Sequence, residues 1–141
     1  MSNAQLFQNV YRQDHLRFWD GRDLNYRKVA EFLELSRSDI SRLSGVAKTS
    51  VRYDEKIPDN VRDRLECIAN VCNMVYDFFG NSAKTALWFK TPNPMLGNVS
   101  PQDMVRFGRY KKLLRFITLA VEDERARDKK RQNVSAPDET T

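Results

Sequence analysis

The feature that most constrains this chain is an apolar seam that recurs every three or four residues between positions 59 and 79. It consists of Val61, Leu65, Ile68, Cys72, Val75 and Phe79, at spacings of four, three, four, three and four. This is the period of one face of an α-helix, so it predicts a long helix with that face buried. Because no stretch shows convincing period-two alternation, we expect an all-α fold, a compact bundle of several helices.

Capping residues, glycines and prolines predict shorter helices around this one. Their expected ranges are 25–35, 36–45, 47–54, 82–89, 100–108 and 109–124. Ser36 and Asp39 have the spacing of a capping box, and Ser100 with Pro101 combines a capping serine with proline at the first helical position. From residue 123 onward, charged residues are followed by small and polar ones, which predicts a disordered tail.

Composition excludes several classes of protein. No apolar run approaches the roughly 18 residues of a membrane span, and the amino terminus has no apolar signal-peptide core, so we expect a cytoplasmic protein. Cys67 and Cys72 are five residues apart and His15 is the single histidine, which predicts buried or half-buried thiols and no metal site. The sequence has no Gly-rich phosphate loop and no paired-carboxylate signature, so we expect no enzyme and no cofactor.

Residues 40–52 have the pattern of a helix-turn-helix. Ser41 is small enough for two helices to approach, Gly45 suits the left-handed turn, and Val46 and Val51 can hold the second helix in place. This pattern resembles the helix-turn-helix of bacterial repressors, including the Xre type, although plain helical hairpins share it. The side chains predicted to contact DNA are Lys48, Thr49, Ser50 and Arg52.

The charge of this region is nearly balanced. Residues 23–58 hold seven Lys or Arg and six Asp or Glu, a balance of +1 in a chain whose net charge is +5. Attraction to phosphates is therefore expected to be modest for one subunit. We expect a homodimer that contacts two half-sites of an operator.

The stretch LWFKTPNPMLGNVSP, residues 87–101, resembles the toxin-binding domain of Xre/MbcA/ParS antitoxins. In that family an aromatic helix end leads into a Pro-rich turn, a Leu-Gly pair and a Ser/Thr-Pro helix start. Gly108 and the apolar run that follows it fit the next places of the pattern. With the helix-turn-helix, the resemblance covers about residues 24–121. One departure is Asn98, which stands where the family commonly has a second glycine.

The resemblance implies a helical, dimeric antitoxin that binds operator DNA and neutralises a co-encoded toxin, often a RES-domain enzyme that consumes NAD. Residues 101–121 carry five Lys or Arg against one Asp, a balance of +4. That run is either a solvated helix face or a docking surface for an acidic partner or the DNA backbone. The residues predicted to bind the toxin are Trp88, Pro92, Leu96, Arg106, Arg109, Lys112 and Arg115.

These expectations divide the chain into four segments. They are an amino-terminal arm at 1–22, a helix-turn-helix DNA-binding domain at 23–58, a helical toxin-binding and dimerisation domain at 59–122, and a disordered tail at 123–141. The alternative function is a stand-alone helix-turn-helix transcriptional regulator without a toxin partner, and a pure protein-interaction adaptor comes third.

Overall fold

The computed structural model describes residues 14–138, and the side chains of residues 14–132. A two-stranded antiparallel hairpin comes first, with β1 at Trp19–Asp20 and β2 at Asp23–Leu24. Six helices follow within this range: α1 (Tyr26–Phe32), α2 (Arg37–Ser44), α3 (Asp59–Phe79), α4 (Ser82–Lys90), α5 (Pro101–Arg106) and α6 (Tyr110–Asp138). The prediction of an all-α bundle is confirmed for this part of the chain. Residues 1–13 of the predicted arm and the last three residues of the predicted tail lie outside it.

Two predicted helix starts have the expected capping geometry. The Ser36 hydroxyl accepts from the backbone N–H of Asp39 at 3.1 Å, and the Asp39 carboxylate accepts from the backbone N–H of Ser36 at 2.9 Å. This reciprocal pair satisfies two amides that the first turn of α2 would otherwise leave unbonded. At α5 the Ser100 hydroxyl accepts from the Asp103 N–H at 3.1 Å, and Pro101 follows it.

Helix α3 is the centre of the molecule. It packs against α1, α2, α4 and α6, and its predicted apolar seam is buried from Val61 to Val75. Phe79, the last member of the seam, is exposed where the helix ends. The buried side chains form one continuous cluster that extends along the chain from Leu16 to Ile117.

Polar contacts join the two halves of the chain around this core. The buried Gln102 amide on α5 donates to the Leu33 carbonyl at 2.6 Å, just after α1. The Arg64 guanidinium on α3 donates to the Leu43 carbonyl at 3.2 Å and lies 4.3 Å from the centre of the Tyr110 ring. These contacts therefore fix the helices before α3 and the helices after it in position around one core.

The predicted second helix of the helix-turn-helix, residues 47–54, is not present. In its place the structure has a single three-residue 3₁₀ turn, Lys48–Ser50, followed by extended backbone at Val51. Val51 is buried, and its carbonyl accepts from the Arg37 guanidinium at 2.9 Å, which holds the chain in the extended conformation. A short segment containing Thr, Ser and Val gains too little from helix formation to compete with these contacts.

One further prediction is corrected, and one element was not predicted. The tail expected to be disordered from residue 123 continues α6 as far as Asp138, with ion pairs between Asp123 and Arg127 at 2.9 Å and between Asp128 and Arg131 at 3.4 Å. Such pairs, three or four residues apart, favour a polar helix. The hairpin was not predicted either, because its strands have only two residues each and show no alternation.

Candidate functional site

The four residues predicted to contact DNA lie on or beside the Lys48–Ser50 turn. The side chains of Lys48, Thr49, Ser50 and Arg52 are all exposed. Lys48 forms no ion pair with the described residues. Arg52, by contrast, donates through Nε to Asp54 at 2.7 Å and through a second nitrogen to the other carboxylate oxygen. This pairing raises the pKa of Arg52 and lowers that of Asp54. The turn therefore offers one unpaired cation and two hydroxyl groups.

A groove that the sequence did not predict lies against this turn, and we name it the basic groove. It has a volume of about 700 Å³ and lies between the start of α1, the start of α2 and the segment after the turn. Its lining includes the side chains of Tyr26, Arg27, Arg37, Thr49, Arg52, Tyr53 and Asp54. Arg27 and Arg37 were not singled out because a balance averaged over residues 23–58 does not show which charges are paired.

The Pro-rich turn between α4 and α5 has a closely defined conformation. The Asn93 N–H donates to the Val99 carbonyl at 3.1 Å, and the Asn93 side chain accepts from the Met95 N–H at 2.9 Å. Gly97 and Asn98 both have left-handed backbone, with φ of +74° and +62°. Asn98 thus adopts the geometry expected where the antitoxin family commonly has glycine.

Two residues predicted to bind a toxin, Leu96 and Arg106, make contacts inside this molecule. Leu96 is only 5% exposed and belongs to the core. Arg106 donates to the Glu34 carbonyl at 3.0 Å and to Asp103 at 3.3 Å, and its Nε is 3.7 Å from Asp39. The structure therefore gives Leu96 and Arg106 internal roles, holding the turn and joining α5 to the first half of the chain.

The other predicted toxin-binding residues are accessible. Pro92, Arg109, Lys112 and Arg115 are exposed, and Trp88 is half-buried with its ring edge-on to Phe89 at 5.1 Å between centroids. The three basic residues form no ion pair with any side chain in residues 14–132. They leave a positive surface along the first turns of α6.

Large exposed apolar side chains that the sequence did not predict lie on α4, in the Pro-rich turn, at the end of α5 and on α6. Leu87 on α4 is 65% exposed, Met95 in the Pro-rich turn 76%, and Phe107 at the end of α5 62%. Leu119, farther along α6, is 57% exposed. The sequence does contain a signal for their exposure. None of the four belongs to a helical apolar seam, so none was needed to form the predicted core.

The two cysteine thiols lie on α3. Cys72 is buried and Cys67 half-buried, as predicted, and burial raises the pKa of both thiols. No group of three or more His, Cys, Asp or Glu side chains among these residues could hold a metal ion. None of the helices described is long and apolar enough to cross a membrane.

Comparisons with known proteins found no relative of this chain. No protein-family model matches the chain, and no curated protein or solved structure matches it either.

Proposed function

We propose that this protein is an antitoxin of a type II toxin–antitoxin system. In this proposal it binds and neutralises a co-encoded toxin through residues 88–117 and neighbouring side chains, and represses its own operon by binding DNA. The observation that carries the proposal is the exposure of Leu87, Met95 and Phe107 on the module that resembles an antitoxin's toxin-binding domain. Burying large apolar side chains against a partner is a main source of binding free energy.

The conformation of the Pro-rich turn supports a binding role. Its hydrogen bonds through Asn93 and the burial of Leu96 hold the turn before any partner arrives. A preformed loop loses little conformational entropy on binding, so more of the contact free energy appears as affinity. Met95, the most exposed of the large apolar residues noted above, is presented by this turn.

The charge of α6 restricts how a toxin would be bound. The toxin that the resemblance implies, a RES-domain enzyme that consumes NAD, must accept an anionic dinucleotide and would carry basic groups in its pocket. Arg109, Lys112 and Arg115 would be repelled from such a pocket. We therefore assign them to an acidic rim, and the apolar turn to the entrance.

The proposed DNA contact differs in one respect from the one that the sequence predicted. Lys48, Thr49 and Ser50 are exposed, but they lie on a 3₁₀ turn instead of a helix that could enter a major groove. We propose that this turn contacts DNA from a homodimer, since one subunit offers few contacts. A stand-alone regulator would use the same surface without a toxin.

The decisive experiment is co-expression with the product of the neighbouring gene. Met95→Asp puts a charge on the exposed turn without touching the core, so we expect loss of copurification and of protection from toxicity. Phe78→Asp is the control, because it likewise puts a charge in place of an exposed apolar side chain, at the end of α3 and outside residues 87–117. Full neutralisation by Met95→Asp, or equal loss in both variants, would contradict this placement. Copurification with no partner, together with operator binding, would favour the stand-alone regulator.

A further inference from the structure

The arginines of the basic groove differ in how far their charges are neutralised. Arg52 is paired through two nitrogens with Asp54, so that pair contributes no net charge. Arg37 uses Nη1 to bind the Val51 carbonyl, a neutral acceptor, and forms no ion pair among the residues described. Arg27 likewise has no carboxylate partner there. Two unneutralised guanidinium groups therefore line one groove.

Both of these charges act on Tyr53. The Arg27 guanidinium carbon is 5.2 Å from the centre of the Tyr53 ring, a cation–π contact that positions the side chain while its N–H groups stay available. Partial burial raises the pKa of Tyr53, whereas Arg27 and Arg37 both act to lower it. Both guanidinium groups are thus within electrostatic reach of the same phenol.

These features match the chemistry of a phosphate group. Guanidinium presents paired N–H donors that fit two oxygens of one phosphate, and the hydroxyls of Tyr53 and Thr49 add neutral donors. The groove is partly open to solvent and Thr49 of the Lys48–Ser50 turn lines it, so a duplex that contacts the turn can also reach the groove. The carboxylate of Asp54 is already occupied by Arg52, so it does not oppose an anion.

We propose that the basic groove binds the phosphodiester backbone of duplex DNA, with Arg27 and Arg37 as its cationic contacts. This inference rests on the DNA-binding half of the proposed function, and its two main cationic contacts, Arg27 and Arg37, are not among the four residues that the sequence suggested. Contacts to phosphates position a protein on DNA but do not read its sequence. Any sequence preference then comes from the adjacent turn through Lys48, Thr49 and Ser50.

The test is a fluorescence-anisotropy titration of the full chain with duplex DNA from its own promoter and with a scrambled duplex of equal length. Arg27→Gln and Arg37→Gln should each weaken binding about tenfold on both duplexes, because a charged hydrogen bond to phosphate is lost. Each should also lower the slope of log affinity against log salt concentration by about one. Arg125→Gln on α6 is the control, since it removes the same charge from an exposed site far along the chain from the groove, and we expect no comparable loss.

Folding is checked by circular dichroism, and Arg37→Lys is a second variant in case the loss of the Val51 contact unfolds the chain. It retains the charge but not the paired donors, so we expect weakened binding with a salt slope close to that of the unmodified protein. If the unmodified protein binds DNA and the groove variants match the Arg125 control, the inference is overturned while DNA binding stands. If the unmodified protein binds neither duplex, the DNA-binding half of the proposed function fails. If adenosine monophosphate binds the unmodified protein more tightly than either duplex, and the groove variants lose that binding, the ligand is a free nucleotide and the assignment to DNA is overturned.

Discussion

Asn73 lies in the middle of α3. Of the buried polar residues, it is the one whose replacement we expect to lower the free energy of unfolding most. Its side chain has no exposed surface. The amide oxygen accepts from the Leu16 backbone N–H at 3.0 Å, and the amide nitrogen donates to the Asp14 carboxylate at 3.0 Å. Asp14 also accepts from the backbone N–H groups of Phe18 and Trp19 at 3.0 and 2.8 Å. Asn73 thus attaches the segment before β1 to the central helix.

The loss of stability expected for Asn73→Ala can be worked out from the polar groups that the substitution leaves without hydrogen-bond partners. The Leu16 N–H loses its acceptor in a buried position, which costs about 1–3 kcal/mol. The bond to the partly buried Asp14 carboxylate adds about 1.5–2 kcal/mol, the lower part of the range for charged groups. Alanine has the higher helix propensity and returns about 0.5 kcal/mol. We expect a net loss of about 2–4 kcal/mol in the free energy of unfolding, and a fall in Tm of about 10 °C.

Asn70 offers a matched control one turn earlier on α3. It is also buried, at 6% exposure, but its amide oxygen has no hydrogen-bond donor in the described structure. Asn70→Ala removes the same atoms and gives the same gain in helix propensity, so we expect a change of less than about 1 kcal/mol. Both variants are measured by urea unfolding followed by circular dichroism. A loss for Asn73→Ala no greater than that for Asn70→Ala would refute the assignment of stability to these hydrogen bonds.

Three other predictions concern backbone strain, pH and thiol reactivity. Asn98→Gly should leave the free energy of unfolding nearly unchanged, whereas Asn98→Val should lower it by about 1–2 kcal/mol in the same urea assay, because φ is +62°. Burial, and then repulsion from Asp63, raise the pKa of Glu66 above its ordinary value of 4.5, so the ionised carboxylate lowers stability as pH rises through the raised pKa. Glu66→Gln should therefore raise Tm at about pH 7 and lose that advantage below about pH 4 in thermal melts; an equal advantage at both pH values would contradict the assignment. In the native protein a maleimide should label Cys67 before Cys72, and faster labelling of Cys72, read by mass spectrometry of peptides, would contradict its burial.

Local sequence was sufficient for most of the helices. The seam from Val61 to Val75 predicts α3 because side chains three and four apart share one helical face, whatever packs against it. The capping box at Ser36 and the Ser100–Pro101 start depend on hydrogen bonds within one turn. Asn98 was recognised as compatible with left-handed backbone for the same local reason. In each case the interacting groups are neighbours along the chain.

The candidate surfaces were less predictable, because which polar group is free depends on partners far away in sequence. Leu96 fits the family pattern and Arg106 belongs to the basic run, yet Leu96 is buried in the core and Arg106 donates to the Glu34 carbonyl, 72 residues away. The sequence after Gly45 has the spacing of a helix. Burial of Val51 and the hydrogen bond that its carbonyl accepts from Arg37 instead favour a 3₁₀ turn followed by extended backbone. That choice between local propensity and distant contacts is decided only when the chain packs. The same packing brings Arg27 and Arg37 into one groove, which no count of charges along the sequence reveals.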